Sequence, residues 1–195
     1  LNHRVRNVLM IVQSLVHASA QHTGHKSAEE MSKTLTDRVQ SLSRAHELLL
    51  NTHWTGASFK QMVEMELAPY REDNPRKLTV RGRDVLLSPQ CTSVVAMALH
   101  ELATNAAKYG ALSRPEGELS VKWTTRRSVL TVNWVERNIE VRDGRSSGFG
   151  MRLIDRGIRQ NLGGDATLDF HDDTLAVTMT IPLEDGVQVK AAGAM

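Results

Sequence analysis

The first 53 residues of this 195-residue chain contain no Phe, Tyr or Trp, no proline, and one glycine, Gly24, together with six of the eight histidines. Without helix breakers or aromatic strand formers, that segment has little to fold into except helices. Val5, Val8, Leu9, Val12, Leu15 and Val16 fall within about 120° of arc on a helix of 3.6 residues per turn. Gly24 divides the segment, and Ser27 followed by Glu30 is a capping box opening a second helix. That second helix carries Met31, Leu35, Val39, Leu42, His46 and Leu49 in a stripe near heptad spacing. Two helices cannot enclose their own stripes, so the hairpin needs a second copy of itself or the domain that follows.

After Trp54 the composition changes: every aromatic, all five prolines and twelve of the thirteen glycines lie there. A boundary is therefore expected near residues 52 to 58. Ser58 with Gln61 caps a short helix to about Pro69. Lys77 to Arg81 and Val85 to Leu87 read as strands, and Ser88-Pro89 opens a helix that runs to about Tyr109. Leu119 to Trp123 and Val129 to Trp134 alternate as a hairpin joined by Thr124 to Ser128. A Gly-punctuated loop, Glu136 to Gly150, leads to a helix from about Met151 to Leu162 that ends at Gly163-Gly164. Ala166 to Phe170 and Leu175 to Ile181 form a last hairpin around His171-Asp172-Asp173. The order predicts an α+β sandwich, with an antiparallel or mixed sheet covered by helices on one face. The tail from 185 to 195 reads as disordered.

Composition narrows the function classes. A net charge of +2 with no basic block gives no reason to expect nucleic acid. The longest apolar runs, Val8 to Val12 and Val94 to Leu99, are far short of the roughly 20 residues a bilayer needs, so no membrane contact is expected. The single cysteine, Cys91, excludes a disulfide framework and fits a reducing, cytoplasmic setting. The chain opens on Leu1 inside a helical pattern and is expected to be a piece of a longer protein.

Four groups of residues carry candidate chemistry. His3 lies about 180° from the mean direction of the first helix's apolar stripe, with Asn7 one turn on, so its imidazole is expected to face out. An exposed imidazole is substantially neutral at physiological pH and offers a nucleophilic nitrogen, although position alone does not separate it from an ordinary surface histidine. On the helix after Pro89, Glu101, Asn105 and Lys108 fall within about 60° of one another, opposite Val95, Leu99, Leu102, Ala103 and Ala106. A carboxylate, an amide oxygen and an ammonium in one row suit Mg²⁺ and phosphate; a solvated polar face is the other reading. Ser147-Gly148-Phe149-Gly150-Met151-Arg152 precedes a helix, where glycines let the backbone approach a phosphate; a plain helix lead-in is the alternative. Trp134-Val135-Glu136 ends a strand, where an ionised carboxylate can accept from an exocyclic amine such as adenine's. The alternative there is a buried Trp followed by an exposed Glu.

In this order the four resemble the sensor histidine kinases of bacterial two-component systems. Leu1 to Asn7 is similar to their phosphoacceptor box, and His100 to Gly110 (HELATNAAKYG) to their N box. Trp134-x-Glu136 and Gly148-Phe149-Gly150 are similar to their glycine-box regions. The histidine that opens the N box, with the W-x-E, is what names the HWE family. The resemblance covers roughly residues 1 to 183.

It implies a dimerisation and phosphotransfer hairpin over 1–53 (a four-helix bundle in a homodimer) and an ATP-binding domain of Bergerat (GHKL) type over 54–184. His3 would be the phosphoacceptor, with Asn7 beside it. Asn105 would hold Mg²⁺ bridging the ATP phosphates, Glu101 would act near the γ-phosphate, and Lys108 and Tyr109 would touch phosphates and ribose. Glu136 would meet the adenine amine, and Gly148, Gly150 and Arg152 would shape the phosphate end of a lid. The implied activity is autophosphorylation on histidine and relay to an aspartate of a response-regulator receiver domain. An upstream sensor domain would lie in the same polypeptide. Arg137-Asn138-Ile139 replaces the Gly-Gly-Pro run that many members carry after W-x-E. That departure keeps a second reading open, a pseudokinase or docking module with weak ATP binding. The Leu1 to Asn7 box argues against other GHKL enzymes, such as an ATPase clamp.

Overall fold

The computed structural model describes residues 28–71, 77–140 and 154–183. The first helix of the expected hairpin, the Gly148–Gly150 loop and the tail lie outside the described residues. Helix α1 (Ala28–Asn51) begins with Glu29 and Glu30 in its first turn, where carboxylates complement the positive end of the helix dipole. Its covered face is Arg38, Ser41, Leu42, Ala45 and Leu49. The heptad stripe is thus only half right, because Val39 is 41% exposed while its neighbour Arg38 is buried. Small side chains at 41 and 45 let the helix lie close to the layer beneath it, and Arg38 finds a carboxylate there, so the face turns away from Val39.

The chain reverses after α1 through His53 and Trp54, both left-handed (φ 52° and 64°). The Trp54 N–H closes the helix end on the Leu49 carbonyl at 2.7 Å. Strand β1 (Ala57–Ser58) follows and pairs with β3 (Leu86–Leu87). Helix α2 (Phe59–Arg71) starts as expected, with the Ser58 hydroxyl accepting the Gln61 N–H at 3.1 Å. Helix α3 (Pro89–Tyr109) has the predicted bounds. Ser88 caps it by accepting the Cys91 N–H, Pro89 fills a position whose N–H would have no helical partner, and Gly110 N–H closes the far end.

Strands β2 (Leu78–Arg81), β4 (Glu118–Arg126), β5 (Val129–Arg137), β6 (Asp165–His171) and β7 (Thr174–Pro182) form one sheet in the order β2-β4-β5-β7-β6. Only β2 with β4 is parallel, so the sheet is mixed. Alternation builds its inner face: Leu119, Val121 and Trp123, then Leu130, Val132 and Trp134, then Val177, Met179 and Ile181 are buried. The β4–β5 turn is tighter than the sequence indicates. Arg126 pairs with Val129, leaving Arg127 and Ser128 (φ 48° and 57°) as a two-residue turn of the kind that matches strand twist. The helix before β6 is described from Ile154 and includes a π-helical turn, Gly157–Asn161. Gly163 (φ 63°) stops it, and Gly164 N–H bonds back to the Ile158 carbonyl.

Sheet, α2–α3 and α1 therefore stack in that order. Contacts between Arg38 and Glu101 and between His46 and Ser93 show that α1 runs antiparallel to α3. Burial lowers the His46 pKa from its usual value; the ring stands 5.8 Å from the Trp54 ring, with Nε2 at 3.2 Å from the Ser93 hydroxyl. A histidine whose folded pKa is depressed contributes stability that is full above its unfolded pKa and fades as pH falls toward the folded one. Acidification below about pH 6.5 should therefore lower the melting temperature through this group. His46→Gln should flatten the slope in a melting series across that range.

Candidate functional site

Helix α3 presents Glu101, Asn105 and Lys108 along one line, and their exposure grades along it. Glu101 is buried, Asn105 half-buried and Lys108 exposed. The opposite line, Val95, Leu99, Leu102, Ala103 and Ala106, is buried in the core. The Asn105 carboxamide and the Lys108 ammonium have no hydrogen-bond or ion-pair partner among the described residues. A hard oxygen donor and a cation are thus held on a rigid helix and left open. Among the described residues no group of three or more His, Cys, Asp or Glu could hold a metal ion. A Mg²⁺ here would take one amide oxygen from the protein and complete its shell from water and phosphate, which is its habit at nucleotide sites. Those residues fit a magnesium–triphosphate group.

The far end of α3 is tied to β5 through Glu136. This carboxylate is 1% exposed, so the reading in which a buried Trp134 precedes an exposed Glu is corrected. Leu130, Val132, Trp134 and Glu136 share one face of β5, and the alternation carries the acid inward. Trp134 Nε1–H donates to Glu136 Oε1 at 2.9 Å, and the Ala111 N–H donates to Oε2 at 2.8 Å. These two bonds fix the orientation of the carboxylate beside the end of α3. Beyond it, Asn138 takes a left-handed conformation (φ 56°), and its side-chain amide donates to the Glu116 carbonyl at 2.7 Å. Ile139 is buried, with its N–H on the Asp173 carbonyl at 2.9 Å. Asparagine tolerates that backbone region better than most residues with a side chain, so the Arg137-Asn138-Ile139 segment turns here without glycine.

A polar network that the sequence did not reveal links α1 to α2 and α3. Arg38 Nε donates to Glu101 Oε1 at 2.6 Å. Glu66 of α2 accepts from Ser41 (2.6 Å) and Arg44 (3.0 Å) on Oε1, while His100 Nδ1 lies 3.1 Å from its Oε2. Burial alone would raise the Glu66 pKa. The hydrogen bonds from His100 and Ser41, the His100 charge and the Arg44 hydrogen bond outweigh it and hold the carboxyl below its usual range. The only sequence signal for this face was the pair of small residues, Ser41 and Ala45, on the inner side of α1.

Of the expected site residues, Glu101, Asn105, Lys108 and Tyr109 lie on α3 and Glu136 at its end. His3, Asn7, Gly148, Gly150 and Arg152 lie outside the described residues. No helix among the described residues is long and apolar enough to cross a membrane.

Comparison with known proteins bears on the whole constellation. Residues 1–84 match the model of the HWE histidine kinase family. The chain is 30% identical over 186 residues to a blue-light-activated histidine kinase of Brucella ovis, covering 93% of this chain. It spans 38% of the length of that relative. Among solved structures, the blue-light-activated histidine kinase of Erythrobacter litoralis superposes with a TM-score of 0.66 at 15% identity, covering 91% of this chain and 60% of that one. Its isolated histidine kinase domain gives a TM-score of 0.62 at 16% identity, covering 90% and 84%. The fold is that of a GHKL-type histidine kinase, and with the sequence matches it makes the chain a member of the HWE family of sensor histidine kinases.

Proposed function

We propose that the chain is the kinase core of a two-component sensor, transferring the γ-phosphoryl group of ATP to His3 and then to an aspartate of a response-regulator receiver domain. The observation that carries the reading is the open row of Asn105 and Lys108 beside the carboxylate of Glu101, on a helix whose opposite line is buried in the core. Asn105 would hold Mg²⁺ through its carboxamide oxygen, and the ion would neutralise phosphate charge. Lys108 binds the phosphates as a point charge. Glu136, fixed by Trp134 and Ala111, accepts the adenine amine. As the neutral imidazole nitrogen of His3 bonds to phosphorus, the bond to the ADP oxygen breaks, and Glu101 accepts the proton from the ring's other nitrogen. Catalysis then rests on positioning and charge neutralisation. Residues 1–53 serve as the phosphotransfer hairpin, paired in a homodimer, and 54–184 as the ATP-binding domain, in the cytoplasm and under an upstream sensor domain.

The test is incubation with γ-labelled ATP and Mg²⁺. The expected product is an acid-labile, alkali-stable label that disappears in His3→Ala; label that persists in that variant removes His3 from its role. The Arg137-Asn138-Ile139 segment motivated a second reading, a pseudokinase. Its ordered turn through Asn138 supports the kinase instead, and calorimetry with Mg-ATP separates the two, since absent binding selects the pseudokinase.

A further inference from the structure

Helix α1 packs on α3 at Glu101, while Lys108 is exposed. The Arg38 guanidinium reaches down to Glu101 Oε1 at 2.6 Å, and the two side chains are 6% and 8% exposed. One turn further along α1, Ser41 and Arg44 grip Glu66, whose other oxygen faces His100. Both of these arginines thus spend their charge on carboxylates of the layer beneath, one of them the N-box glutamate itself. Arginine stays protonated in proteins and donates only. The Arg38 side chain lies over the Glu101 carboxylate and covers it. With its side chain 8% exposed beneath Arg38, Glu101 meets an incoming imidazole only when Arg38 moves aside.

The exposure along α3 tells where the restraint acts. Asn105 is half-buried and Lys108 exposed, so the groups for metal and phosphate stay open while the glutamate is shut. We infer that Arg38 is a positioning residue that holds Glu101 out of the reaction, so that docking of α1 on α3 permits nucleotide binding but withholds transfer. The inference rests on the kinase reading above. It separates two quantities that a merely structural pair would move together: release of Arg38 raises kcat and leaves KM for Mg-ATP alone. The Ser41–Glu66–Arg44 grip is the second fastening of the same helix and should act in the same direction.

The experiment compares wild type, Arg38→Ala and Glu66→Gln, each as the full chain, in two measurements. One is the initial rate of acid-labile labelling against Mg-ATP concentration; the other is amide hydrogen exchange across 38–49. In Arg38→Ala the saturating rate should rise about five- to tenfold, the size of a typical allosteric coupling, with unchanged KM and faster exchange over 38–49. Glu66→Gln, which keeps the side-chain shape and leaves Arg38 in place, should give a smaller rise of the same kind. A saturating rate that falls or stays level in Arg38→Ala while the α1 amides exchange faster overturns the latch and leaves the kinase reading standing. Absence of label in all three chains overturns the kinase reading and the latch with it.

Discussion

Asn105→Ala should lower the rate of nucleotide-dependent labelling by about 10²- to 10³-fold, the cost seen when one preorganised electrostatic group is deleted from an active site. The same change should leave the melting temperature where it was or raise it slightly. Alanine is the better helix former by a few tenths of a kcal/mol. The Asn105 carboxamide makes no hydrogen bond within the described residues, so nothing is orphaned by its removal. What the fold does use is the backbone carbonyl of Asn105, which accepts from Gly110 N–H at 3.1 Å and survives the substitution. Labelling and stability should therefore separate at this position. Asn105→Asp sharpens the test. It keeps an oxygen ligand but sets a negative charge against the triphosphate, so affinity for Mg-ATP in calorimetry should fall even where the metal is still held. An Asn105→Ala chain that labels at the wild-type rate would remove this residue from the metal site.

How much of this could be read from residue order depends on the range of the interaction. Helix α3 was legible, because Ser88-Pro89 writes its start and that signal is local. The inner face of the sheet was legible as well, since alternation is a property of each strand alone. The β4–β5 turn was misjudged because Arg127 and Ser128 carry none of the Asn-Gly or Asp-Gly chemistry that announces a two-residue turn. Glu136 was available to the same alternation that buries Trp134, but carboxylates are so seldom buried that the pattern was outvoted. The partners of Glu101 and Glu66 were out of reach. Arg38 is 63 residues from Glu101 in sequence, and only the packing of α1 on α3 decides that Arg38 faces inward and Val39 outward. The candidate site divides in the same way. The row on α3 follows from helical spacing, whereas the roles of Trp134 and Arg38 follow from contacts between elements.

Gly110→Ala should be the most damaging single-methyl change at the site, and the reason is proximity and not backbone conformation. Gly110 has φ −110°, which alanine adopts without strain. A Cβ there would lie 1.8 Å from Glu136 Oε2 and 2.9 Å from the Ala106 Cα, so the carboxylate or the helix end must move. If Glu136 yields, the buried Ala111 N–H and Trp134 indole N–H both lose their acceptor, at about 1–3 kcal/mol for each unsatisfied donor. A total of about 2–6 kcal/mol corresponds to a fall of roughly 5–20 °C in melting temperature for a chain of this size. Mg-ATP affinity should fall with it, because the same displacement misplaces the carboxylate proposed to accept the adenine amine. A double-mutant cycle identifies the cause. In the Glu136→Ala background the 1.8 Å collision is gone, so Gly110→Ala should cost less there by about 1 kcal/mol or more. A penalty equally large in both backgrounds would put the strain in the backbone of Ala106, and Glu136 would then be no more than a neighbour of Gly110.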